Sequence, residues 1–246
     1  MPKVLHEQGY LIPAINTDTT DYVSCAEQLA DSIYKFHPNA NVTILTKEQL
    51  PYGDLKGYAN DWQCFHASPY RQTIKLEADM IVASSIDHWW KLFEHRDVVI
   101  SQGARDFYDC VTTQRKYRKI FDANHLPDVY NAITYWRLSE TAQNFFNIVR
   151  AIFDNWQQWK MLLKFPEDLP STDVVYAMAA TVLGVETVTL PKGFGPTIVH
   201  MKPGIIPVGN DWTKELVWES DPIRIQTIAQ WGLVHYHNKS WRLTHE

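Results

Sequence analysis

The sequence predicts an α/β fold, a single domain with a mixed, mostly parallel central sheet flanked by helices. Three observations carry this expectation. Strand, helix and strand follow one another between Tyr10 and Thr46, in under forty residues. Such a βαβ unit pairs its strands in parallel. Further apolar runs then alternate with long amphipathic helical periods. No repeat, low-complexity stretch or linker divides the 246 residues. The whole chain, 1–246, is therefore expected to form one domain.

Tyr10 to Asn16 (YLIPAIN) reads as the first strand, with Pro13 placing its end or an edge. After the polar loop Thr17 to Asp21, Val23, Ala26, Leu29, Ala30 and Ile33 fall at helical period, with Asp21 as N-cap and His37-Pro38-Asn39 as the stop. Asn41 to Thr46 is the second strand, and Asp61 to Ala67 a short helix closed by Ser68-Pro69. Gln72 to Val82 (QTIKLEADMIV) alternates, so Ile74, Leu76, Ala78, Met80 and Val82 face one way and Thr73, Lys75, Glu77 and Asp79 the other, wetter way. Val98 to Ser101 and Val129 to Trp136 read as strands. Ser139 caps a long helix bearing Ala142, Phe145, Phe146, Val149, Ile152, Phe153 and Trp156. Pro170-Ser171 opens another helix, ended by Gly184, and Val185 to Leu190 is expected to be a strand. The last third, rich in Pro, Gly and Trp, reads as loops around short strands.

Composition bounds the function. Hydrophobic residues at 45% and charged residues at 21% allow a large core. The ten Trp residues either fill that core or line a sugar or base site. A net charge of −5 argues against polyanion binding by bulk electrostatics. Cys25, Cys64 and Cys110 are too few and too scattered for a disulfide framework or zinc site, which points to a reducing compartment. No apolar run has membrane-spanning length and no signal-peptide core opens the chain. The expectation is a cytoplasmic protein with no membrane association and no obligatory protein partner.

Chemistry concentrates at two places. Glu77 and Asp79, one residue apart on one side of a strand, form a compact oxygen pair suited to Mg²⁺ or Mn²⁺, although a wet strand face carries the same pattern. The loop after the first strand, with Asn16, Thr17 and Asp18, sits where open α/β sheets bind nucleotides, and its short polar side chains equally suit turns and caps. Near the end, His235-Tyr236-His237-Asn238-Lys239-Ser240-Trp241 follows the apolar pair Leu233-Val234, which would deliver His235 at a strand end. Imidazole completes a Mn²⁺ shell and lysine suits a diphosphate. His200-Met201-Lys202-Pro203 offers a competing His and Lys pair.

These strings together resemble a GT-A-type glycosyltransferase of the glycogenin-like and lipopolysaccharide-galactosyltransferase family. QTIKLEADMIV is similar to the family's strand entering its D-x-D motif, with Glu77 in the first Asp position and Asp79 in the second. His235-Tyr236 and Lys239-Ser240-Trp241 resemble the late H-F/Y-x-G-x-x-K-P-W motif, shortened and with Ser240 for Pro. Asn131-Ala132 resembles the Asn-Ala-Gly segment, with Ile133 for Gly. Asp173 resembles the acidic residue that addresses the donor sugar, and as a carboxylate in a helix's first turn it also suits the helix dipole.

The resemblance implies metal-dependent sugar transfer, with retention, from a nucleoside-diphosphate sugar, a UDP-sugar by preference, with a nucleotide-binding half over about 1–100 and an acceptor and donor-sugar half over about 101–246. Mn²⁺ or Mg²⁺ would be held by Asp79, Glu77 and either His235 or its rival His237. Asn16, Thr17, Asp18, Glu77, Lys239 and Trp241 would bind the nucleotide, and Asp173 and Asn131 would act at the donor sugar. The basic run Arg115-Lys116-Tyr117-Arg118-Lys119 combines cations with an aromatic, as single-strand grooves do, and a solvated helical face has the same composition. It suggests DNA as acceptor, in particular a hydroxymethylated pyrimidine acted on by a bacteriophage enzyme in host cytoplasm. A glycan or protein acceptor is the rival. A non-catalytic nucleotide-sugar-binding module stays open because both motifs are altered. A nucleotidyltransferase is disfavoured by the absence of Gly from Asn16 to Asp21.

Overall fold

The computed structural model describes residues 3–55, 57–102, 104–105, 111–112, 118–166, 168–191, 193–195, 198–200, 216–218, 223–225, 227–236 and 239. The βαβ unit is present: β1 (His6–Pro13), α1 (Tyr22–Phe36) and β2 (Val42–Leu45), with β1 and β2 parallel. Pro13 ends its strand, where its missing N–H breaks no interior ladder. The Asp21 carboxylate caps α1 by accepting from the Ser24 N–H at 3.1 Å, and His37 closes the helix.

A short helix, α2 (Gln63–Ala67), leads to β3 (Tyr70–Leu76), which lies parallel to β1 on the side away from β2. The expected strand Gln72–Val82 is therefore two strands. β3 stops at Leu76, and β4 (Met80–Val82) resumes after Glu77-Ala78-Asp79 in a different sheet. The expected wet face is also corrected, since Thr73 and Lys75 are fully buried. A strand covered on both faces has no solvent side, whatever its polar alternation.

Next come α3 (His88–Phe93), β5 (Val98–Gln102), β6 (Ala104–Arg105), β7 (Val111–Thr112), α4 (Arg118–Ala123) and β8 (Val129–Arg137). β8 runs antiparallel between β3 and β5, giving the first sheet the order β2-β1-β3-β8-β5. Ser139 caps α5 (Glu140–Asp154) by accepting from the Ala142 N–H at 3.2 Å, an interaction worth about 1 kcal/mol. α6 (Trp156–Leu163) follows, then α7 (Thr172–Leu183), capped by Ser171.

The strand expected over Val185–Leu190 is instead a single helical turn, α8 (Val185–Val188). Gly184, at φ 99°, turns the chain out of α7, and its carbonyl accepts from the Thr187 N–H at 3.0 Å. The Thr189 hydroxyl then donates to the Val185 carbonyl at 2.7 Å, so local hydrogen bonds override β-branched composition.

The remaining strands are β9 (Ile198–His200), β10 (Leu216–Trp218), β11 (Ile223–Ile225), β12 (Ile228–Ala229) and β13 (Leu233–His235). β4, β13, β9, β6 and β7 form a second five-stranded sheet, and β10, β11 and β12 a third, smaller one. Two apolar cores flank the first sheet. Tyr10, Ile12, Ile74 and Leu76 face α1, α3 and β4, whereas Leu11, Val98 and Ile100 pack with Phe145, Phe146, Val175 and Ala179 of α5 and α7. Each large side chain so buried contributes about 1.5–3 kcal/mol. No helix among the described residues is long and apolar enough to cross a membrane.

Candidate active site

The strand order reverses at β1, which has β2 on one side and β3 on the other. Open α/β sheets bind ligands outside the carboxyl ends of strands at such a switch. Here those ends are the loop after Pro13 and the break after Leu76. Asn16, Thr17 and Asp18 are exposed in the first. The Asn16 side chain accepts from the Val23 N–H at 2.9 Å, so it also ties the loop to α1. The Thr17 N–H donates to the Thr20 carbonyl at 3.0 Å. Burial raises the Tyr22 phenol above its ordinary value, and Tyr58 and the Glu77 carboxylate nearby add to the rise.

Strand pairing assembles the rest. β13 returns antiparallel to β4 with His235 opposite Met80, and the Tyr236 N–H donates to the Asp79 carbonyl at 3.1 Å. His235 therefore lands beside Asp79, its Nε2 at 2.9 Å from Asp79 Oδ2 and 3.5 Å from Glu77 Oε2. One ligand atom from each of Glu77, Asp79 and His235 lies within 4.8 Å of the other two. Around an octahedral Mg²⁺ with ligands at about 2.1 Å, neighbouring ligand atoms sit about 3 Å apart, so slight closure would make a shell. Glu77 is held to β8, the strand next to β3 in the first sheet, by its N–H, which donates to the Ala132 carbonyl at 3.2 Å.

The imidazole of His235 is fully buried, and its Nδ1 lies 2.7 Å from the Tyr130 hydroxyl. If that phenol accepts from Nδ1–H, Nε2 turns a lone pair toward two carboxylates, an unfavourable grouping that a divalent cation between them resolves. The donor set, two carboxylates and one imidazole with an oriented second nitrogen, fits Mn²⁺ or Mg²⁺. The Lys239 ammonium pairs with the Asp79 carboxylate and donates to the Tyr236 carbonyl at 3.3 Å. Burial lowers its pKa to about 8, against the raising charges of Glu77 and Cys25.

Asn131 on β8 and Asp173 in the first turn of α7 also meet. The Asn131 backbone N–H donates to Asp173 Oδ1 at 2.8 Å, and both residues are buried. Thus Asp173 does more than neutralise a helix N-terminus. The Asn131 amide satisfies its neighbours when its nitrogen donates to Asp173 Oδ1 at 2.9 Å and its oxygen accepts from Lys75 Nζ at 3.2 Å. Lys75, fully buried, pairs with Asp61 at 2.6 Å. Burial pulls the Lys75 pKa down, but the Asp61 charge outweighs it, so the ammonium stays above its ordinary value and charged. The Tyr176 hydroxyl donates to the other Asp61 oxygen.

The structure thus gathers Glu77, Asp79, His235 and Lys239 in one cluster and Asn131 with Asp173 in another. His237, Trp241, Arg115, Lys116 and Tyr117 lie outside the described residues, as do the rival Met201 and Lys202, and of Arg118 and Lys119 only the backbone of α4 is described. Sequence reasoning missed Tyr130, Asp61 and Tyr176 entirely. For Lys75 one signal existed: a lysine amid the apolar residues of a central strand.

No protein-family model matches the chain, and none of the curated protein sequences does. Solved structures do. Mouse xyloside xylosyltransferase 1, in its apo form, is similar with a TM-score of 0.53 at 10% identity, covering 97% of this chain and 100% of that one. Galactosyltransferase LgtC, in complex with donor and acceptor sugar analogs, gives 0.48 at 12% identity over 94% of this chain and 87% of that one. The architecture is that of the GT-A-type glycosyltransferases. At such identity the likeness speaks for fold.

Proposed function

We propose that the chain is a metal-dependent glycosyltransferase that moves a sugar, with retention, from a nucleoside-diphosphate sugar to an acceptor hydroxyl. The observation that carries this reading is the convergence of Glu77, Asp79 and His235 at the switch point of a GT-A fold. Asp79, Glu77 and His235 would hold Mn²⁺ or Mg²⁺, which when bound supplies Lewis-acid stabilisation to the departing diphosphate. Lys239, whose ammonium already sits at Asp79, adds positive charge at the same place. The loop carrying Asn16, Thr17 and Asp18 takes the nucleoside, uridine by preference. Asp173, joined to Asn131 by hydrogen bonds, orients the donor sugar by accepting from its hydroxyls, and Asn131 acts there by holding that carboxylate. Within the late motif, His235 is preferred to His237 as the imidazole ligand, because His235 faces both carboxylates.

Thermal unfolding with a panel of nucleotide sugars, with Mn²⁺ and with EDTA, tests the donor half. A ligand at a hundred times its Kd stabilises by about 2.7 kcal/mol. The shift should need metal and disappear in Asp79→Asn, whose fold should persist. A shift of equal size in EDTA or in Asp79→Asn would refute the metal role, and binding with neither hydrolysis nor transfer would leave a binding module. The acceptor proposal, a hydroxymethylated pyrimidine in DNA, rests on the residue types of Arg115 to Lys119. Transfer of labelled sugar to such a duplex, compared with oligosaccharide acceptors, decides it.

A further inference from the structure

Lys75 takes no part in the chemistry proposed above, yet it meets Asn131 on β8, Tyr176 on α7 and Asp61 before α2. We propose that Lys75, clamped by Asp61, is a positioning residue that fixes the Asn131 amide and, through it, the Asp173 carboxylate. The role in transfer rests on the glycosyltransferase reading; the positioning itself does not.

The first ground is placement. Lys75 sits in the middle of the first sheet between Ile74 and Leu76, both fully buried, where an apolar side chain would pack without desolvating a charge. Its ammonium meets Asp61 Oδ2 at 2.6 Å, the Asn131 amide oxygen at 3.2 Å and the ring of Tyr176, whose centroid is 5.2 Å away. Residues from β3, β8, α7 and the turn before α2 are thereby held together.

The second ground is the amide itself. Asn131 has two orientations that differ by a half-turn of its side-chain amide. One turns the carbonyl oxygen to the Lys75 ammonium and the NH₂ to the Asp173 carboxylate, at 3.2 and 2.9 Å. The other sets NH₂ against ammonium and carbonyl against carboxylate, repulsive at both ends. The Lys75 ammonium at one end and the Asp173 carboxylate at the other therefore select the same orientation, whereas the Thr172 hydroxyl, 3.1 Å from the amide, fits either. In the selected state Asp173 Oδ1 receives both the backbone N–H of Asn131, at 2.8 Å, and its side-chain nitrogen. Two donors on one oxygen set the plane of the carboxylate and the direction of its second oxygen. Asp61 in turn holds the ammonium in place, with its remaining oxygen occupied by the Tyr176 hydroxyl.

Removing Lys75 alone would strand Asp61, so the informative variant removes both charges, Lys75→Met/Asp61→Asn. Three readouts are compared with wild type: melting temperature, affinity for UDP with Mn²⁺, and turnover of a panel of UDP-hexoses. Melting and UDP affinity should hold, because neither residue approaches the Glu77, Asp79 and His235 cluster through a direct bond. The kcat should fall by about tenfold to a hundredfold, the scale of a misplaced catalytic group. The Asn131 side-chain amide signal in ¹⁵N spectra, assigned by its absence in Asn131→Ala, should shift or broaden. Wild-type kcat in the double variant, or UDP affinity lost in step with kcat, overturns the proposal. If the wild type itself turns over no UDP-hexose, the activity reading fails, and an unchanged Asn131 signal in the double variant still overturns the positioning role.

Discussion

Tyr130 carries a single hydroxyl placed to govern the proposed metal site from outside it. Its phenol contacts His235 Nδ1 at 2.7 Å, and its ring stacks on the imidazole with centroids 6.0 Å apart. Such a partner fixes both tautomer and ring orientation. Tyr130→Phe keeps the ring and removes the hydroxyl, so Mn²⁺ affinity should fall by about tenfold to a hundredfold while the fold persists. Free Mn²⁺ measured by electron paramagnetic resonance during titration checks this, and an unchanged affinity would show that His235 is oriented by its backbone alone. At this scale the sequence was only partly legible. Glu77 and Asp79 were visible as a pair of carboxylates, but the reason for their pairing was misjudged. They do not share the wet face of one strand; they occupy the gap between two, and β13 closes over it. Tyr130 lies 105 positions from His235, and Tyr176 lies 115 from Asp61. Contacts over such separations leave no local trace of period or spacing.

Among the elements, β1 and β3 are bound by an unusual contact. A Cβ built on Gly9 would lie 2.4 Å from the ring of Tyr70. That ring is nearly buried, and its hydroxyl bonds that of Thr43 at 2.6 Å, so it has little freedom to retreat. Gly9→Ala should therefore destabilise by about 1–3 kcal/mol, the usual scale of overpacking. A urea midpoint equal to that of wild type would show that Tyr70 swings clear. Elements whose ends carry side-chain caps were legible: Asp21, Ser139 and Ser171 each cap the helix that their sequence context indicates. These signals are local, so residue type suffices. The turn Val185–Val188 was not legible, because a β-branched run reads as strand until the left-handed Gly184 and the Thr189 hydroxyl are seen to close it.

At the scale of the whole molecule, mild acid should weaken the layer on the α1 face of the sheet through a buried imidazole. His37 ends α1, its N–H donating to the Ile33 carbonyl at 2.8 Å, and its Nε2 accepts from the Ile86 N–H at 3.1 Å. It thus locks the helix to the segment after β4. Burial lowers the His37 pKa, and the Asp87 carboxylate, 3.2 Å from Nδ1, offsets this only in part. His66 is likewise lowered, by burial first and also by the positive charge of Arg150. A base whose folded pKa is depressed binds its proton more readily in the unfolded chain. Stability is then complete above the unfolded pKa of about 6.5 and declines as pH falls from there toward the folded value, by at most about 1.4 kcal/mol per pH unit for each group. Asp97 behaves separately. Burial raises its pKa, hydrogen bonds from Thr141 and Arg137 outweigh that, and its contribution is lost only below the ordinary carboxylate range. Urea midpoints at about pH 7.5 and about pH 5.5 should therefore differ, with lower stability in acid. His37→Gln, whose amide oxygen can accept the same Ile86 N–H but takes no proton, should remove part of that difference. Equal midpoints at the two pH values in wild type, or an equal difference in the variant, would show that the His37 imidazole is not held neutral by the fold.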